Sequence, residues 1–427
     1  MNIILDSDSY KASMHVQYPE GTEIVHSHIM AREGAFSDTK WFGFQAILKN
    51  IDLGITQADI DEADEVLGVH GVPFHKEGWQ YIMDEYNGQL PLRIRAVPEG
   101  KIYKPGTVLA SVENTDPKCY WLTTYVETML LRVWYPSTVA TISYNIRQVI
   151  KRFLEETGDV SGLDFKLHDF GSRGVSSPES AGLGGMAHLT NFKGSDTLQA
   201  LLYARRFYDA DMAGYSIPAM EHSTVTSWGE DGEEHAFRNM LNQYSDAPII
   251  AAVSDSYDLD NAVLNIWGGS LLDEVKERNG IVVVRPDSGD PVDVVLRTVS
   301  NLGTKFGYEV NDKGYKVLNH VRVIQGDGID QETIENILTV LTSEGWSADN
   351  IAFGMGGALL QHCDRDWGRW AMKCSAIRVN GEWRNVRKNP KTDPSKASPA
   401  GRFEDMPVVW ENGHMVRKFK WEDVTDS

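Results

Sequence analysis

Between Phe165 and Ser177 the chain reads Phe-Lys-Leu-His-Asp-Phe-Gly-Ser-Arg-Gly-Val-Ser-Ser, so that His168 to Gly174 pack an imidazole, a carboxylate, an aromatic ring, a guanidinium and two glycines into seven residues. Gly171 and Gly174 allow a sharp turn and let backbone N–H groups approach a ligand. Ser176 and Ser177 are placed to cap a following helix, whose N-terminus favours an anion. Phe170 offers a flat apolar face and Arg173 a planar, permanently charged fork. Together they suit a flat ring joined to, or about to meet, a phosphate-bearing group. The competing interpretation is a plain strand-to-helix turn with Phe170 in the core and Arg173 in a surface ion pair.

Further chemistry sits at similar junctions. Asp258, Asp287 and Asp327 each follow an apolar run, and Arg285 accompanies Asp287. They offer hard oxygen ligands for Mg²⁺ or acceptors for sugar hydroxyls, or else serve as helix caps. Glycines from 354 to 357 offer N–H groups to a phosphate. No GxxxxGK[ST] loop is present and no GxGxxG stands at a suitable strand-to-helix junction, so a sugar-phosphate site of another kind is indicated. His222, between Glu221 and Ser223-Thr224, has three readings: an acid/base, a nucleophile toward a phosphoryl group, or a hydrogen-bonded core residue. Asp196 is either a cap or an acceptor for a ligand N–H.

The elements that must position these groups are legible as repeated strand–loop–helix units. Phe165-Lys-Leu, Pro248-Ile-Ile-Ala-Ala-Val, Ile281-Val-Val-Val, Val321-Arg-Val-Ile and Ile351-Ala-Phe each run into a glycine-rich or acidic loop. Apolar runs this continuous imply strands covered on both faces, as in a parallel sheet or β/α barrel. Loops at the carboxyl ends of such strands share one face, so Arg173, Asp258, Arg285, Asp287, Asp327 and Gly356 are expected to converge. Residues 1–150 read as a mixed α/β domain with strands near 90–97 and 107–112. An aromatic-rich helical run over 120–155, interrupted at Tyr135-Pro-Ser, suits core or subunit contacts and so a homo-oligomer. Residues 151–380 read as the β/α catalytic domain. Residues 381–427 read as a basic segment packing back on the first domain, its stretch 383–396 being either a solvated loop or an arm over an anionic site.

Composition bounds the function. The chain has 427 residues, 41% hydrophobic and 24% charged, with a formal net charge of -20. General nucleic-acid binding is disfavoured, and a polyanionic ligand needs local cations to overcome the overall field. Three scattered cysteines suggest neither a disulfide framework nor a zinc site, and a reducing cytosol fits best. The start Met-Asn-Ile-Ile-Leu-Asp-Ser-Asp lacks a signal peptide's pattern, and no run is apolar enough to span a bilayer, so a soluble, unprocessed, cytoplasmic chain is expected.

The ordered strings His168-Asp-Phe-Gly-x-Arg-Gly-Val-Ser-Ser177, Asn191-Phe-Lys-Gly-x-Asp196, Gly214-Tyr-Ser-x-Pro218, Glu221-His-Ser-Thr224, Val253-Ser-Asp-Ser-Tyr-Asp258, Arg285-Pro-Asp-Ser-Gly289 and Val323-Ile-Gln-Gly-Asp-Gly328 resemble the nicotinamide phosphoribosyltransferases. The likeness extends from Asp8-Ser-Tyr-Lys11 through Val112-Glu-Asn-Thr-Asp-Pro117 and Cys119-Tyr-Trp-Leu-Thr123 to the basic C-terminal stretch. It implies an atypical β/α barrel of the type II phosphoribosyltransferase kind with an additional mixed, sheet-containing domain. It also implies transfer of phosphoribosyl from 5-phosphoribosyl 1-pyrophosphate to nicotinamide, Mg²⁺, ATP as a coupled co-substrate, and a homodimer with shared sites.

By motif position, Phe170 and a second subunit's Tyr10 would sandwich the pyridine, Asp196 would accept from the carboxamide, and Arg173 would hold the ring or phosphates. Ser216, Arg285, Asp287, Gly326, Asp327, Gly356, Gly357 and Arg365 would surround the phosphoribosyl group. Arg32, His222, Asp258, Lys388 and Lys396 would meet pyrophosphate or ATP, with Asp258 and Asp287 as metal contacts. His222 matches the histidine phosphorylated by ATP. The related alternative is a nicotinate phosphoribosyltransferase, which Asp196 argues against because it would repel a carboxylate. A catalytically weak binding or signalling protein on the same fold is the other alternative. Ser172, Met355 and Ala358 depart from the family pattern, and the segment between Arg32 and Trp41 and the C-terminal tail are short.

Overall fold

The computed structural model describes residues 2–52, 54–393 and 396–425. The chain divides into two compact units, one of Met1–Thr141, Arg206–Ala210 and Asp364–Ser427, the other of Ile142–Arg205 and Asp211–Cys363. These limits differ from the expected 1–150, 151–380 and 381–427. The strand Ala371–Val379 pairs with Thr22–Met30, so the chain joins the first unit's sheet before residue 381.

The second unit is built on six parallel strands in the order Gly194–Ser195, Leu167–Asp169, Ile351–Met355, Val321–Gln325, Ile281–Arg285 and Ile249–Val253. The five strands expected from apolar runs are all present. Val282, Val284, Val323, Phe353 and Ile250 are fully buried, as strands covered on both faces require. The following helices start on side-chain caps: Ser177 before Pro178–His188, Asp290 before Pro291–Phe306, and Asp330 before Gln331–Ser343.

The two edges of this sheet are joined by a segment that does not look like a strand. Tyr215 exchanges backbone hydrogen bonds with Lys193 and Ser195 at 2.7 and 3.1 Å, while Pro218 and Met220 pair with Ala251 at 3.0 and 2.9 Å. Residues 215–220 therefore close the sheet into a barrel, with Pro218, which lacks an N–H, interrupting a regular ladder. Closure puts the carboxyl ends of all the strands on one rim.

The first unit carries a seven-stranded sheet in the order Glu382–Asn385, Ala371–Val379, Thr22–Met30, Val108–Asn114, Leu92–Ala96, Val408–Glu411 and His414–Met415. All its pairings are antiparallel. The expected interruption at Tyr135-Pro136 is a beginning instead: Pro136 sits in the first turn of the helix Trp134–Thr157, where its missing N–H costs nothing.

One buried carboxylate organises this unit. Glu99 accepts the N–H groups of Gly43, Phe44 and Gln45 at 2.6, 3.1 and 2.7 Å and the hydroxyl of Tyr208 at 2.6 Å. It serves as the anion at the N-terminus of the helix Phe44–Ile51, which has no side-chain cap of its own. Burial still raises its pKa above the usual carboxylate value. Glu99→Ala should lower the unit's unfolding free energy by about 3 kcal/mol or more, and Tyr208→Phe by about 1 kcal/mol. Equal denaturation midpoints for wild type and Glu99→Ala would refute this role.

Candidate active site

The strand Leu167–Asp169 ends at the rim, and the ladder continues one residue further because Phe170 N–H donates to Met355 O at 3.0 Å. Asp169 Oδ1 then accepts the Gly171 N–H at 2.7 Å and turns the chain. The Phe170 ring lies over bare backbone: a Cβ on Gly354 would stand 1.9 Å from it, and one on Gly326 3.4 Å. Glycine is thus needed at 354 for the ring to occupy its place. The Ser177 Oγ accepts the Ser180 N–H at 3.0 Å and starts the next helix, as expected.

Phe170 borders a cavity of about 680 Å³ that is also lined by Ser172, Arg173, Asp196, Thr197, Glu221, His222, Ser223, Arg285, Asp287, Gly326 and Asp327. The structure therefore brings together Phe170, Arg173, Asp196, His222, Arg285, Asp287, Gly326 and Asp327 from five separate loops. On one side Asp196 accepts a short hydrogen bond from Ser216 Oγ, and its own N–H donates to Asp169 O at 3.0 Å. Ser216, implied as a phosphoribosyl contact, is here the partner of Asp196.

On the other side His222, the first residue of the short helix His222–Thr226, lies between two carboxylates. Its Nε2 is 2.9 Å from Asp255 Oδ1, and its Nδ1 is 4.0 Å from Asp287 Oδ2. Asp255 is nearly buried and accepts from Ser288 Oγ at 2.5 Å. A proton on Nε2 serves the Asp255 bond and leaves Nδ1 as the basic, nucleophilic nitrogen. Asp287 has its pKa raised, first by burial, and further by the charges of Asp255 and Asp327; Arg285 and His222 act in the opposite direction. The Arg285 Nε stands 3.7 Å from Asp287 Oδ1, too long for a hydrogen bond, so the guanidinium still has donors to offer.

Asp258 does not line this cavity. Its Oδ1 caps the next turn by accepting the Asn261 N–H at 3.0 Å. The residue of that string that reaches the site is Asp255, which the sequence reading did not select. The available signal was distance from the strand: Ile249–Val253 ends two residues before Asp255, whereas Asp258 lies beyond the rim. Gly356 and Gly357 pack beside the Phe170–Gly174 turn without lining the cavity.

Tyr10, Arg32, Arg365, Lys388 and Lys396 belong to the other unit. There Tyr10 is 60% exposed. Arg32 Nε donates to Arg369 O at 3.0 Å, and burial, Arg369 and Arg365 lower its pKa. Burial also lowers the Lys373 pKa, with Arg32, Lys388 and Lys11 adding to that effect against Glu127. This gathering of cations in an acidic chain is a local field suited to an anion. Lys396 pairs with Asp393 at 3.3 Å, while Pro394 and Ser395 of the basic stretch lie outside the described residues.

Among the described residues no group of three or more His, Cys, Asp or Glu side chains is placed to hold a metal ion. The cavity offers the separate carboxylates Asp287 and Asp327, a donor set suited to a Mg²⁺ ion carried largely by substrate phosphates. No helix among the described residues is long and apolar enough to cross a membrane.

Residues 165–418 match the model of the nicotinate phosphoribosyltransferase (NAPRTase) family, and residues 2–94 match that of the nicotinamide phosphoribosyltransferase N-terminal domain. A nicotinamide phosphoribosyltransferase of Xanthomonas campestris pv. campestris is 50% identical, covering 99% of this chain and 97% of its own. One of Mycoplasma pneumoniae is 33% identical over 95% of this chain and 96% of its own. Among solved structures, human nicotinic acid phosphoribosyltransferase superposes with a TM-score of 0.61 at 16% identity, covering 98% of this chain and 92% of that one. Nicotinate-nucleotide pyrophosphorylase from Pyrococcus furiosus gives 0.60 at 16% identity, over 100% and 94%. These two structures share the fold.

The contact of Phe170 with Gly354 yields a direct test. Gly354→Ala should drive the ring out of its place and lower stability by about 1–3 kcal/mol, read from a crystal structure and a denaturation curve. An unmoved ring would show that the glycine is not what admits it.

Proposed function

The chain belongs to the nicotinate phosphoribosyltransferase family and carries a nicotinamide phosphoribosyltransferase N-terminal domain, and from that premise we propose that it joins nicotinamide to 5-phosphoribosyl 1-pyrophosphate, releasing pyrophosphate and nicotinamide mononucleotide. The observation that carries the choice of nicotinamide is Asp196, a carboxylate lining the same cavity as the Phe170 ring and oriented by Ser216. A carboxamide donates an N–H to it, whereas a nicotinate carboxylate would be repelled. The name of the first relative agrees with that choice.

The chemistry asks little of a base. The pyridine nitrogen carries no proton, so Phe170 and Asp196 supply orientation for attack on the ribose carbon. As the carbon–oxygen bond to pyrophosphate breaks, positive charge grows on the ribose and negative charge on the leaving group. Asp287 and Asp327 are suited to the ribose side, with Arg285, Gly326, Gly356, Gly357 and Arg365 on the phosphoribosyl group. Arg32, Lys388 and Lys396 are the cations proposed for pyrophosphate. Mg²⁺, when bound with the substrate phosphates, would supply further charge neutralisation to the leaving group.

We assign His222 the coupling role. A ring nitrogen attacks the terminal phosphorus of ATP, ADP leaves, and water later removes the phosphoryl group; Asp255 orients the ring. In the proposed homodimer the partner's Tyr10 covers the second face of the pyridine, which its exposure in one chain permits. The proposal places this activity in the cytosol on the strength of the sequence.

Purified protein with nicotinamide, 5-phosphoribosyl 1-pyrophosphate and Mg²⁺ should form the mononucleotide, with a higher yield when ATP is added. His222→Ala should remove the ATP-dependent increment and reduce basal transfer less. Phe170→Ala should raise the nicotinamide KM while the fold persists. No product above that of a His222→Ala/Asp287→Ala double variant would defeat the enzyme assignment, and preference for nicotinate would defeat the reading of Asp196.

A further inference from the structure

We infer that Asp169, which lies behind the cavity rather than in its lining, is a positioning residue that also sets specificity: its carboxylate clamps the Phe170 turn and adds a second fixed negative charge behind Asp196, so that the ring subsite rejects an anionic ring substituent. The inference rests on the reading of Asp196 given above.

Asp169 is fully buried at the end of the strand Leu167–Asp169. Its Oδ1 accepts the Gly171 N–H at 2.7 Å, and its carbonyl accepts the Asp196 N–H at 3.0 Å. One residue therefore holds both loops that would touch the ring and its carboxamide. The second carboxylate oxygen, Oδ2, is buried without a hydrogen-bond partner. It faces Gly185, where a Cβ would come within 2.9 Å, and the Thr197 hydroxyl, which is near it but is also without a partner.

A clamp needs only one acceptor. Keeping a charged second oxygen in such a place costs stability, which argues for a use of the charge. Burial foremost, with Asp196 adding its charge and the Gly171 N–H and the nearby Thr197 hydroxyl opposing, pushes the Asp169 carboxyl up to about 6. It is therefore ionised near neutral pH. No ion pair reaches it among the described residues. The titratable groups around it do not neutralise it: burial holds His168 below its ordinary range and takes His188, on the helix Pro178–His188, down to about 3. The adjoining strand Ile351–Met355 carries no titratable side chain. The fields of Asp169 and Asp196 thus add at the ring subsite, the buried Asp169 charge being screened less by water than that of the exposed Asp196.

Asparagine at 169 separates clamp from charge, because it keeps an acceptor for Gly171 and removes the negative charge. The experiment compares kcat/KM for nicotinamide and nicotinate, at about pH 7.5, in wild type, Asp169→Asn and Asp169→Ala. Asp169→Asn should reduce the preference for nicotinamide about tenfold, chiefly through a lower nicotinate KM. Asp169→Ala should also raise the nicotinamide KM, since the turn is released. An Asp169→Asn enzyme with wild-type preference overturns the inference and leaves the proposed function standing. A wild type that makes neither mononucleotide, or prefers nicotinate, defeats the functional reading and this inference with it. Should Asp169→Asn fail to fold, the wild-type preference decides: it should weaken as pH falls through about 6, and a preference that stays flat across that range overturns the inference.

Discussion

Everything in the candidate site depends on closure of the six parallel strands by residues 215–220, a segment with too few hydrogen bonds to be a strand and enough to join both edges. An open sheet would spread its carboxyl-terminal loops along a line. Closure bends that line into a ring, so that Phe170, Asp196, His222, Arg285 and Asp327 face one space of about 680 Å³. The closing segment is itself part of the site, since Ser216 holds Asp196 and the chain leaving the segment reaches Glu221 and His222 directly. Scaffold and chemistry are the same residues here.

That economy explains the electrostatics. A chain with net charge -20 and a cavity containing Asp196, Asp287, Asp327 and Glu221 is a poor place for a free polyanion. Such a cavity suits a neutral ring and a sugar, whose N–H and O–H groups donate to carboxylates. The cations of the cavity are Arg173 and Arg285; in the first unit Arg32, Arg365, Lys373 and Lys388 gather, and their mutual repulsion is part of what lowers the Arg32 and Lys373 pKa values. An arriving anion relieves that repulsion.

The legible and illegible parts of the chain divide along physical lines. The strands could be read because a strand buried on both faces must be apolar throughout, as Ile281-Val-Val-Val is. The closing segment could not, because Gly214-Tyr-Ser-Ile-Pro218 has neither a run nor an alternation, and only tertiary pairing makes it part of the sheet. Pro136 reads as a break because a helix's first turn and an interruption look alike without the preceding cap. Asp258 and Asp255 show the same limit at the site: both follow the strand, but only Asp255, two positions past its end, reaches His222, whereas Asp258, five positions past it, turns back as a cap. The likeness of ordered motifs carried the substrate, which spacing alone left as a ring and an anion.

The surroundings of His222 bear on how coupling would work. One ring nitrogen is held at 2.9 Å by Asp255 and the other faces Asp287 at 4.0 Å, so the imidazole is fixed in orientation between two carboxylates. Those carboxylates favour attack on phosphorus by stabilising positive charge on the ring. Once a phosphoryl group is attached, the same charges repel it. Under the coupling role proposed for His222, a phosphohistidine here would be easier to break than one in a neutral site, unless a cation shields it. In that role the lifetime of the modified histidine would depend on what else occupies the cavity, which is the condition a coupling device must meet.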